Sequence, residues 1–371
     1  MDEPPTLRRG WTTGACAAAG AKAAAAALLT GSFPDPVEIT LPGGRRAAFA
    51  LAETWHASDA ATASVVKDAG DDPDVTHGAL IRTTVARAPP GAGVRFHAGP
   101  GVGTVTRPGL PIPPGEPAIN PVPRAMIRAA LAECGLHDAD VTVAIPGGEA
   151  IARRTLNGRL GIVGGLSVLG TTGIVVPYSC AAWIASIHQG IDVARAAGIA
   201  HVAGATGRGS EAAVRALHGL PETALIDMGD FVGGMLKHLR AHPVPRVSIA
   251  GGVGKMTKLA QGLLDLHSRR GEVSFAALAA FAKDAGGGED VADAIAHANT
   301  AAHAFALAGT LAGTLAGALP LGDVVARRAW QTAAAVLGDA PTELEVVLFD
   351  RAGAVAGHAP FAPVHARNRL R

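Results

Sequence analysis

The feature that most constrains the fold is a pattern of apolar run, glycine loop and helix, which occurs twice in the second half of the chain. The run Ile199 to Ala203 is followed by Gly204-Ala205-Thr206-Gly207-Arg208-Gly209 and a predicted helix. Residues 247–250 are followed by Gly251-Gly252-Val253-Gly254-Lys255 and a helix predicted to reach about Leu266. Alternation of this kind favours βαβ units with parallel strands.

The first half of the chain carries helix-capping signals and short β-type runs instead. Thr12-Thr13-Gly14 before an alanine-rich stretch predicts a capped helix that ends at Gly31. Asn120, followed by prolines, predicts the start of a helix that reaches Cys134. The predicted strands are Val37 to Leu41, Ala47 to Ala52, Leu80 to Ala86, Gly93 to His97 and Val141 to Ile145. These elements indicate an α+β region rather than repeated βαβ units.

We therefore expect an α/β protein in two parts. Residues 1–150 are predicted to form an N-terminal α+β domain, and residues 151–371 a larger C-terminal α/β domain with a mostly parallel sheet. Near the C-terminus we expect helices around Ala294 to Ala318 and Asp323 to Leu337, and a strand from Leu344 to Phe349.

One uncharged segment, Ala294 to Gly322, has the small-residue spacing of helices that pack closely, in water or in a membrane. It is mostly Ala, Gly and Thr and includes His297, Asn299 and His303, so a buried helix is favoured over a membrane span. Arg8-Arg9 precede the first apolar stretch, but a signal peptide has its apolar stretch before the cleavage site. We expect a cytoplasmic protein with no membrane partner.

Charge and composition exclude other classes. Lys plus Arg (32) nearly balance Asp plus Glu (31), and aromatic residues make up 4% of the chain. The chain thus lacks both the positive field and the stacking platforms of a nucleic-acid-binding protein. Cys16, Cys134 and Cys180 form no CxxC pair, which makes a structural zinc site improbable and suits a reducing compartment.

The glycine loops are candidate ligand sites. Gly254-Lys255-Met256 fails the Walker A pattern, because Met stands in place of the Mg²⁺-binding Ser or Thr. Residues 204–209 read GxxGxG, which is not the dinucleotide fingerprint. A glycine loop between strand and helix still lets a ligand approach backbone N–H groups, and Glu211 and Asp230 are candidates for ribose hydroxyls. Tight turns with solvated carboxylates remain the alternative interpretation.

Two charged clusters are further candidates. Asp68, Asp71, Asp72 and Asp74 lie within seven residues in an order that does not fit an EF-hand, so they form either a solvated turn or a site for a cationic ligand or a general base. Arg153, Arg154 and Arg159 precede a glycine-rich apolar run, which suits a flat apolar ligand with peripheral carboxylates. His238 and His242 lack an evident third metal ligand and are interpreted as helix-surface residues.

An ordered set of motifs resembles the CbiD family, the cobalt-precorrin-5B (C1)-methyltransferases of cobalamin biosynthesis. The set begins with Gly10-Trp11-Thr12-Thr13-Gly14-Ala15-Cys16, in which Trp11 and Ala15 depart from the family pattern. It continues through residues 66–78, 99–110, 115–124, 155–177, 207–211, 229–233 and 254–255. Because the motifs follow one another in family order from residue 10 to about 270, the resemblance is specific.

The resemblance implies a methyl transfer from S-adenosyl-L-methionine to carbon 1 of cobalt-precorrin-5B, a tetrapyrrole, to give cobalt-precorrin-6A. Cobalt would enter only within the substrate, and no protein-bound metal is expected. The sulfonium methyl group is already activated, so the protein must chiefly align the reactants and exclude water.

Residue roles are assigned as hypotheses. Candidates at the reaction centre are Thr12, Thr13, Asp68 and Asp71. Candidates for the cofactor are Gly204, Gly207, Gly209, Glu211 and Asp230. Candidates for the substrate's acetate and propionate groups are Arg124, Arg153, Arg154 and Arg159. An ATP-dependent phosphotransferase and a non-catalytic tetrapyrrole carrier remain alternative functions, and a homodimer is an expectation from the Ala- and Gly-rich helices.

Overall fold

A computed structural model describes residues 7–312 and 320–365. The chain divides into two compact units, Met1–Cys180 and Ala181–Arg371. The division falls after Cys180 rather than near residue 150, because strands between residues 162 and 175 pair with strands that lie between residues 10 and 105. We call these the N-terminal and C-terminal units.

The N-terminal unit is built on a five-stranded sheet of order β4-β5-β6-β10-β7, antiparallel except for the β10–β7 pair. The two-stranded pairs are β2-β3, β9-β11 and β1-β13, all antiparallel, and β8-β12, which is parallel. The strands are β1 (Gly10–Trp11), β2 (Val37–Thr40), β3 (Arg46–Phe49), β4 (Glu53–His56), β5 (Ala60–Val66), β6 (Leu80–Arg87), β7 (Val94–Ala98), β8 (Gly101–Val102), β9 (Thr104–Val105), β10 (Ala139–Ala144), β11 (Ile162–Val163), β12 (Gly165–Leu166) and β13 (Ile174–Val175). The helices are α1 (Thr13–Thr30), α2 (Pro121–Glu133) and α3 (Gly148–Ala152).

Helix α1 forms the centre of this unit. The Thr12 hydroxyl caps its start by accepting from Ala15 N, and Gly31 ends it in the left-handed conformation with φ 78°. Its small side chains let it pack against β5, β6 and α2; a Cβ at Gly20 would lie 2.9 Å from Ala63 O. Of the described helices, this one alone is long and apolar enough to cross a membrane, but 78% of its apolar window is buried within the protein.

The C-terminal unit contains a sheet of order β15-β14-β16-β17-β18, in which all neighbours are parallel except β17 and β18. Its strands are β14 (His201–Ala205), β15 (Leu225–Asp227), β16 (Arg246–Gly252), β17 (Glu343–Phe349) and β18 (Val355–Pro363). Its helices are α4 (Cys180–Ala196), α5 (Arg208–His218), α6 (Val232–Ala241), α7 (Val253–Ala260), α8 (Phe275–Asp284), α9 (Glu289–Ala296), α10 (Ala301–Ala312) and α11 (Leu321–Leu337). The mostly parallel sheet predicted for this part of the chain is confirmed.

Helices cover both faces of this sheet. On one face, Val214 of α5 packs with Ala203, Ala250 and Val347. On the other, α6, α7 and α11 form the larger core around the fully buried Trp330, whose Nε1 donates to Leu344 O at 2.7 Å. The fold is therefore doubly wound, and its parallel strands end along one common edge.

Two predicted helices differ from the observed ones. The helix after Lys255 ends at Ala260 rather than near Leu266, because Gln261 and Gly262 turn the chain back through bonds to the last carbonyls of α7. The stretch predicted as one helix from Ala294 is interrupted at residues 297–300 between α9 and α10. Its later part, residues 313–319, lies outside the described residues.

Candidate functional site

The carboxyl edge of the parallel sheet in the C-terminal unit contains a topological switch point. From β14 the chain passes through α5 to β15 on one side, and then through α6 to β16 on the other side of β14. In open α/β sheets, ligands bind outside the carboxyl ends of the two strands at which the order reverses. Here those strands are β14 and β16, and both glycine loops found in the sequence begin there.

Lys255 links the loops that follow three strands. Its Nζ donates to Thr206 O at 2.8 Å and lies 3.0 Å from Asp230 Oδ1. That carboxylate oxygen is buried and has no hydrogen-bond donor among the described residues, so the ammonium holds it by charge. A Cβ at Gly251 would lie 3.0 Å from the Thr206 side chain, which shows how closely the β14 and β16 loops approach. In the sequence Lys255 is part of the Gly254-Lys255 motif, which by itself indicates no role for this side chain.

The predicted cofactor glycines separate into two kinds. Gly204 lies inside β14, where a Cβ would meet Met235 Sδ at 2.3 Å, so packing within the core explains this glycine. Gly207 and Gly209 lie at the start of α5, and a Cβ at either would meet no atom within 4 Å. Glu211 follows in the first turn of the same helix. The first amides of a helix lack intrahelical acceptors, so this end of α5 offers donors beside open space.

Trp183 is a further candidate that the sequence did not single out. Its Nε1 donates to Asp227 O at 3.1 Å, at the carboxyl end of β15, and its ring packs on Gly229. The residue is 46% exposed although it carries a large apolar surface. An anchored and exposed indole beside Asp230 is a platform on which a planar ligand group can stack.

In the N-terminal unit, the acidic turn at residues 68–74 is tied to the residues that precede β1. The Arg8 guanidinium forms a two-point ion pair with Asp68, and Arg8 N donates to Asp71 Oδ2 at 2.6 Å. A Cβ at Gly70 would lie 2.2 Å from Arg8 O, so only glycine permits this approach. The hydrogen bond from Arg8 lowers the pKa of Asp68 to about 2. At neutral pH Asp68 is therefore an anion and a weak base.

The other end of the turn is held by a buried charge pair. Lys67 is 2% exposed, and its Nζ donates to Asp74 Oδ2 at 2.6 Å. Asp74 Oδ1 accepts from both N and Oγ1 of Thr76. Burial by itself raises the pKa of Asp74, but the Lys67 charge and these bonds together lower it below its usual range. The sequence interpretation of a merely solvated turn is therefore incomplete.

Thr12 and Thr13 are buried, and their hydroxyls are occupied. Thr12 Oγ1 caps α1, and Thr13 Oγ1 both donates to Leu169 O (3.1 Å) and accepts from Leu169 N (3.0 Å). Gly14 N also donates to Leu169 O, and a Cβ at Gly170 would meet Thr12 Oγ1 at 2.3 Å. Both threonines therefore have a structural role, because these contacts attach the glycine-rich run to the start of α1.

Exposed apolar side chains surround this junction. Tyr178, which is 68% exposed, is held by a bond from its N to Asp72 Oδ1 at 2.8 Å. Leu169, on the loop that Thr13 holds, and Val176, next to the β1–β13 pair, are also exposed. A flat apolar ligand would cover such side chains.

The four predicted arginines have different environments. The Arg124 guanidinium is engaged by other protein groups, because it donates to Ile119 O and Pro117 O and pairs with Glu116. Arg153 and Arg154 are exposed at the end of α3. Arg159 is less accessible, because it is half-buried. Arg153 and Arg154 therefore fit a ligand-binding role better than Arg124 does.

His238 is not the surface residue that its spacing indicated. Its Nε2 lies 2.8 Å from Asp192 Oδ1, and its ring stacks on His188 at 4.2 Å between centroids. Burial, as the main cause, lowers its pKa. His242 packs against the same ring at 4.4 Å.

The fold defines a doubly wound α/β protein whose switch point is a candidate site for a small ligand. A sequence profile described as CbiD matches residues 1–177, and one described as the CbiD C-terminal domain matches residues 265–360. The chain belongs to the CbiD family, which confirms the resemblance found in the motifs.

Similar proteins extend over nearly the whole chain. One from Agrobacterium fabrum, named cobalt-precorrin-5B C(1)-methyltransferase, is 60% identical over 97% of this chain and 95% of its own length. One from a Bradyrhizobium species with the same name is 62% identical over 95% of this chain and 93% of its own length. A crystal structure of the cobalamin biosynthesis protein CbiD from Archaeoglobus fulgidus is 27% identical and covers 71% of this chain and 83% of that one, with a TM-score of 0.39.

Proposed function

We propose that the protein methylates carbon 1 of cobalt-precorrin-5B and that S-adenosyl-L-methionine is the methyl donor. The observation that carries this proposal is the identity of about 60% with proteins named for that activity, along nearly the full length of both chains. Cobalt belongs to the substrate. A cytoplasmic location and a homodimer stay predictions from the sequence.

We assign the donor to the carboxyl edge of the sheet in the C-terminal unit. The chemistry of this site fits an adenosyl compound: a carboxylate, Asp230, for hydroxyl groups, an exposed indole, Trp183, for a planar base, and open backbone at Gly207 and Gly209. Lys255 holds Asp230 and the β14 loop in position. When bound, the donor supplies a methyl group that its sulfonium already activates.

We assign the tetrapyrrole to the N-terminal unit. Leu169, Val176 and Tyr178 offer apolar surface beside the acidic turn, and Arg153 and Arg154 offer guanidinium groups for peripheral carboxylates. Because its pKa is about 2, Asp68 contributes a fixed negative charge. The Arg8 guanidinium already neutralises that charge, so Asp68 holds the acidic turn in position, while Asp71 remains the candidate for accepting a proton.

The test is calorimetric titration of the protein with S-adenosyl-L-methionine and with its demethylated product, using ATP as the control ligand. We expect micromolar binding of both sulfur compounds and none of ATP. The titration is repeated with a corrinoid intermediate present, in case the tetrapyrrole must bind first. A blank in both series, or tight binding of ATP, would refute the methyltransferase assignment. Binding of the tetrapyrrole without turnover would instead indicate a carrier.

A further inference from the structure

A second cluster of functional side chains lies in the C-terminal unit, in the amino-terminal half of the sheet and on the face that α5 covers. His201 is the first residue of β14, His218 the last of α5, and Glu345 and His358 lie on β17 and β18. Ser248 of β16 completes the cluster. These residues come from four strands and one helix, so regular secondary structure positions all of them.

The distances within the cluster are short. Glu345 Oε2 lies 2.7 Å from His218 Nε2, and Glu345 Oε1 lies 2.8 Å from His358 Nε2. The Ser248 hydroxyl donates to Glu345 Oε2 at 2.5 Å and lies 2.8 Å from His201 Nε2. Ligand atoms of His201, His218 and Glu345 all lie within 4.8 Å of one another.

The charge of Glu345 needs a cation. Its side chain is 3% exposed, and a buried carboxylate is costly unless a positive group neutralises it. Among residues 7–312 and 320–365, its ion-pair partners are His218 and His358, and no Lys or Arg pairs with it. Arg246, the nearby guanidinium, instead pairs with Glu343 and stacks over Phe361.

We propose that His201, His218 and Glu345, with His358 as a fourth donor, form a binding site for a divalent transition-metal ion of the zinc type. Imidazole nitrogen with one carboxylate is a donor set that Zn²⁺ prefers, whereas Mg²⁺ and Ca²⁺ prefer oxygen. Tetrahedral bonds of about 2.1 Å separate donor atoms by about 3.4 Å, so the observed spacings require only side-chain adjustment.

A strand irregularity and a nearby cleft support a metal site at this cluster. The β17–β18 ladder changes register between Leu344 and Val346, so Glu345 sits at an irregularity of the kind that re-aims side chains beside functional sites. An open cleft of about 510 Å³ reaches His201 and is also lined by Arg246, Glu343 and His365. This cleft gives an ion a route from solvent. The metal would connect edge strand β18 and helix α5 to the middle of the sheet.

The test is a titration of the full-length protein, first stripped with a chelator, with Zn²⁺ and then with Co²⁺. We expect one equivalent of Zn²⁺ to bind with micromolar or tighter affinity and to raise the melting temperature, as a ligand of the folded state does. Bound Co²⁺ should show the intense visible absorption of a tetrahedral complex. His201→Gln and His218→Gln should each weaken Zn²⁺ binding at least about 100-fold, beyond the effect of altering an outer-shell partner.

The matched control is His242→Gln, because His242, which follows α6, belongs to the separate histidine stack with His188 and His238. This variant should bind Zn²⁺ like the unmodified protein. His358→Gln provides a second ligand variant, whose side chain is 41% exposed and whose folded state is checked by its melting temperature. Absence of stoichiometric binding would overturn the proposal, as would equal loss in the control or unchanged affinity in the folded ligand variants. None of these results bears on methyl transfer, which is assigned to other residues.

Discussion

The buried pair between Lys67 and Asp74 gives the sharpest prediction about stability. In Asp74→Asn the new carbonyl can still accept both bonds from Thr76, but the amide nitrogen would face Lys67 Nζ, donor against donor. The Lys67 ammonium would then be left at 2% exposure without a counter-charge. Removing one partner of a buried ion pair costs about 3–5 kcal/mol. We expect Asp74→Asn to lower the free energy of unfolding of the N-terminal unit by that amount.

The double variant Lys67→Met, Asp74→Asn isolates the interaction. Lys67→Met alone leaves the Asp74 carboxylate, which is 25% exposed and still accepts hydrogen bonds from Thr76. This variant should therefore cost less stability, about 1–2 kcal/mol. Once the ammonium is gone, Asp74→Asn should add little, so the two losses should be far from additive. Guanidinium unfolding combined with hydrogen exchange of β5 and β6 assigns the loss to this unit. A cost below about 1 kcal/mol for Asp74→Asn, or additive losses, would refute the reasoning.

The contribution of the Lys67–Asp74 pair to stability depends on pH. The folded state lowers the pKa of Asp74, so its contribution is fully present above the unfolded pKa of about 3.9. It is lost as the pH falls through the lower folded value. The unmodified protein should therefore lose its stability advantage over Asp74→Asn below about pH 4, and keep it between pH 5 and pH 8. An advantage that stays constant down to pH 2 would contradict the assignment.

Three further predictions concern the two sites. Gly209→Leu should weaken S-adenosyl-L-methionine binding at least about 10-fold by calorimetry with little loss of stability, because a Cβ at this position meets no protein atom; unchanged affinity would mean that the cofactor binds elsewhere. Gly204→Ala, in contrast, should lower the free energy of unfolding by about 1–3 kcal/mol, because the added methyl group would overpack the core. Lys255→Met should weaken the same binding about 10-fold, the equivalent of one charged hydrogen bond, and equal affinity would remove its positioning role. Arg8→Gln should raise the pKa of Asp68 from about 2 toward about 3.9, measured by carbon NMR of the carboxyl group; a value still near 2 would mean that Arg8 is not the cause.

Several local features could be read directly from the sequence. The bounds of α1 follow from the Thr12 cap and from Gly31, and α2 begins after Asn120 as its prolines indicate. The glycine loops do follow β14 and β16, because an apolar strand before a glycine loop is a local pattern. The ordered motifs identified the family. In each case the determining interactions join residues that are close in the chain.

The roles of individual site residues depended on contacts that no local pattern encodes. The sequence did not predict that Thr13 would bind Leu169, 156 positions away, or that Arg8 would form an ion pair with Asp68. The structure adds an attachment role for the hydroxyls of Thr12 and Thr13, whose catalytic role stays a prediction.

Local chemistry by itself determined the helix caps, the strand–glycine loop–helix units and the family to which the chain belongs. Only the tertiary structure decided which strands became neighbours, and hence that the switch point lies between β14 and β16. The same sheet order brings Glu345 to His218, 127 positions earlier in the chain. Capping and periodicity act over a few residues, whereas such a pairing exists only after several strands have assembled in one order.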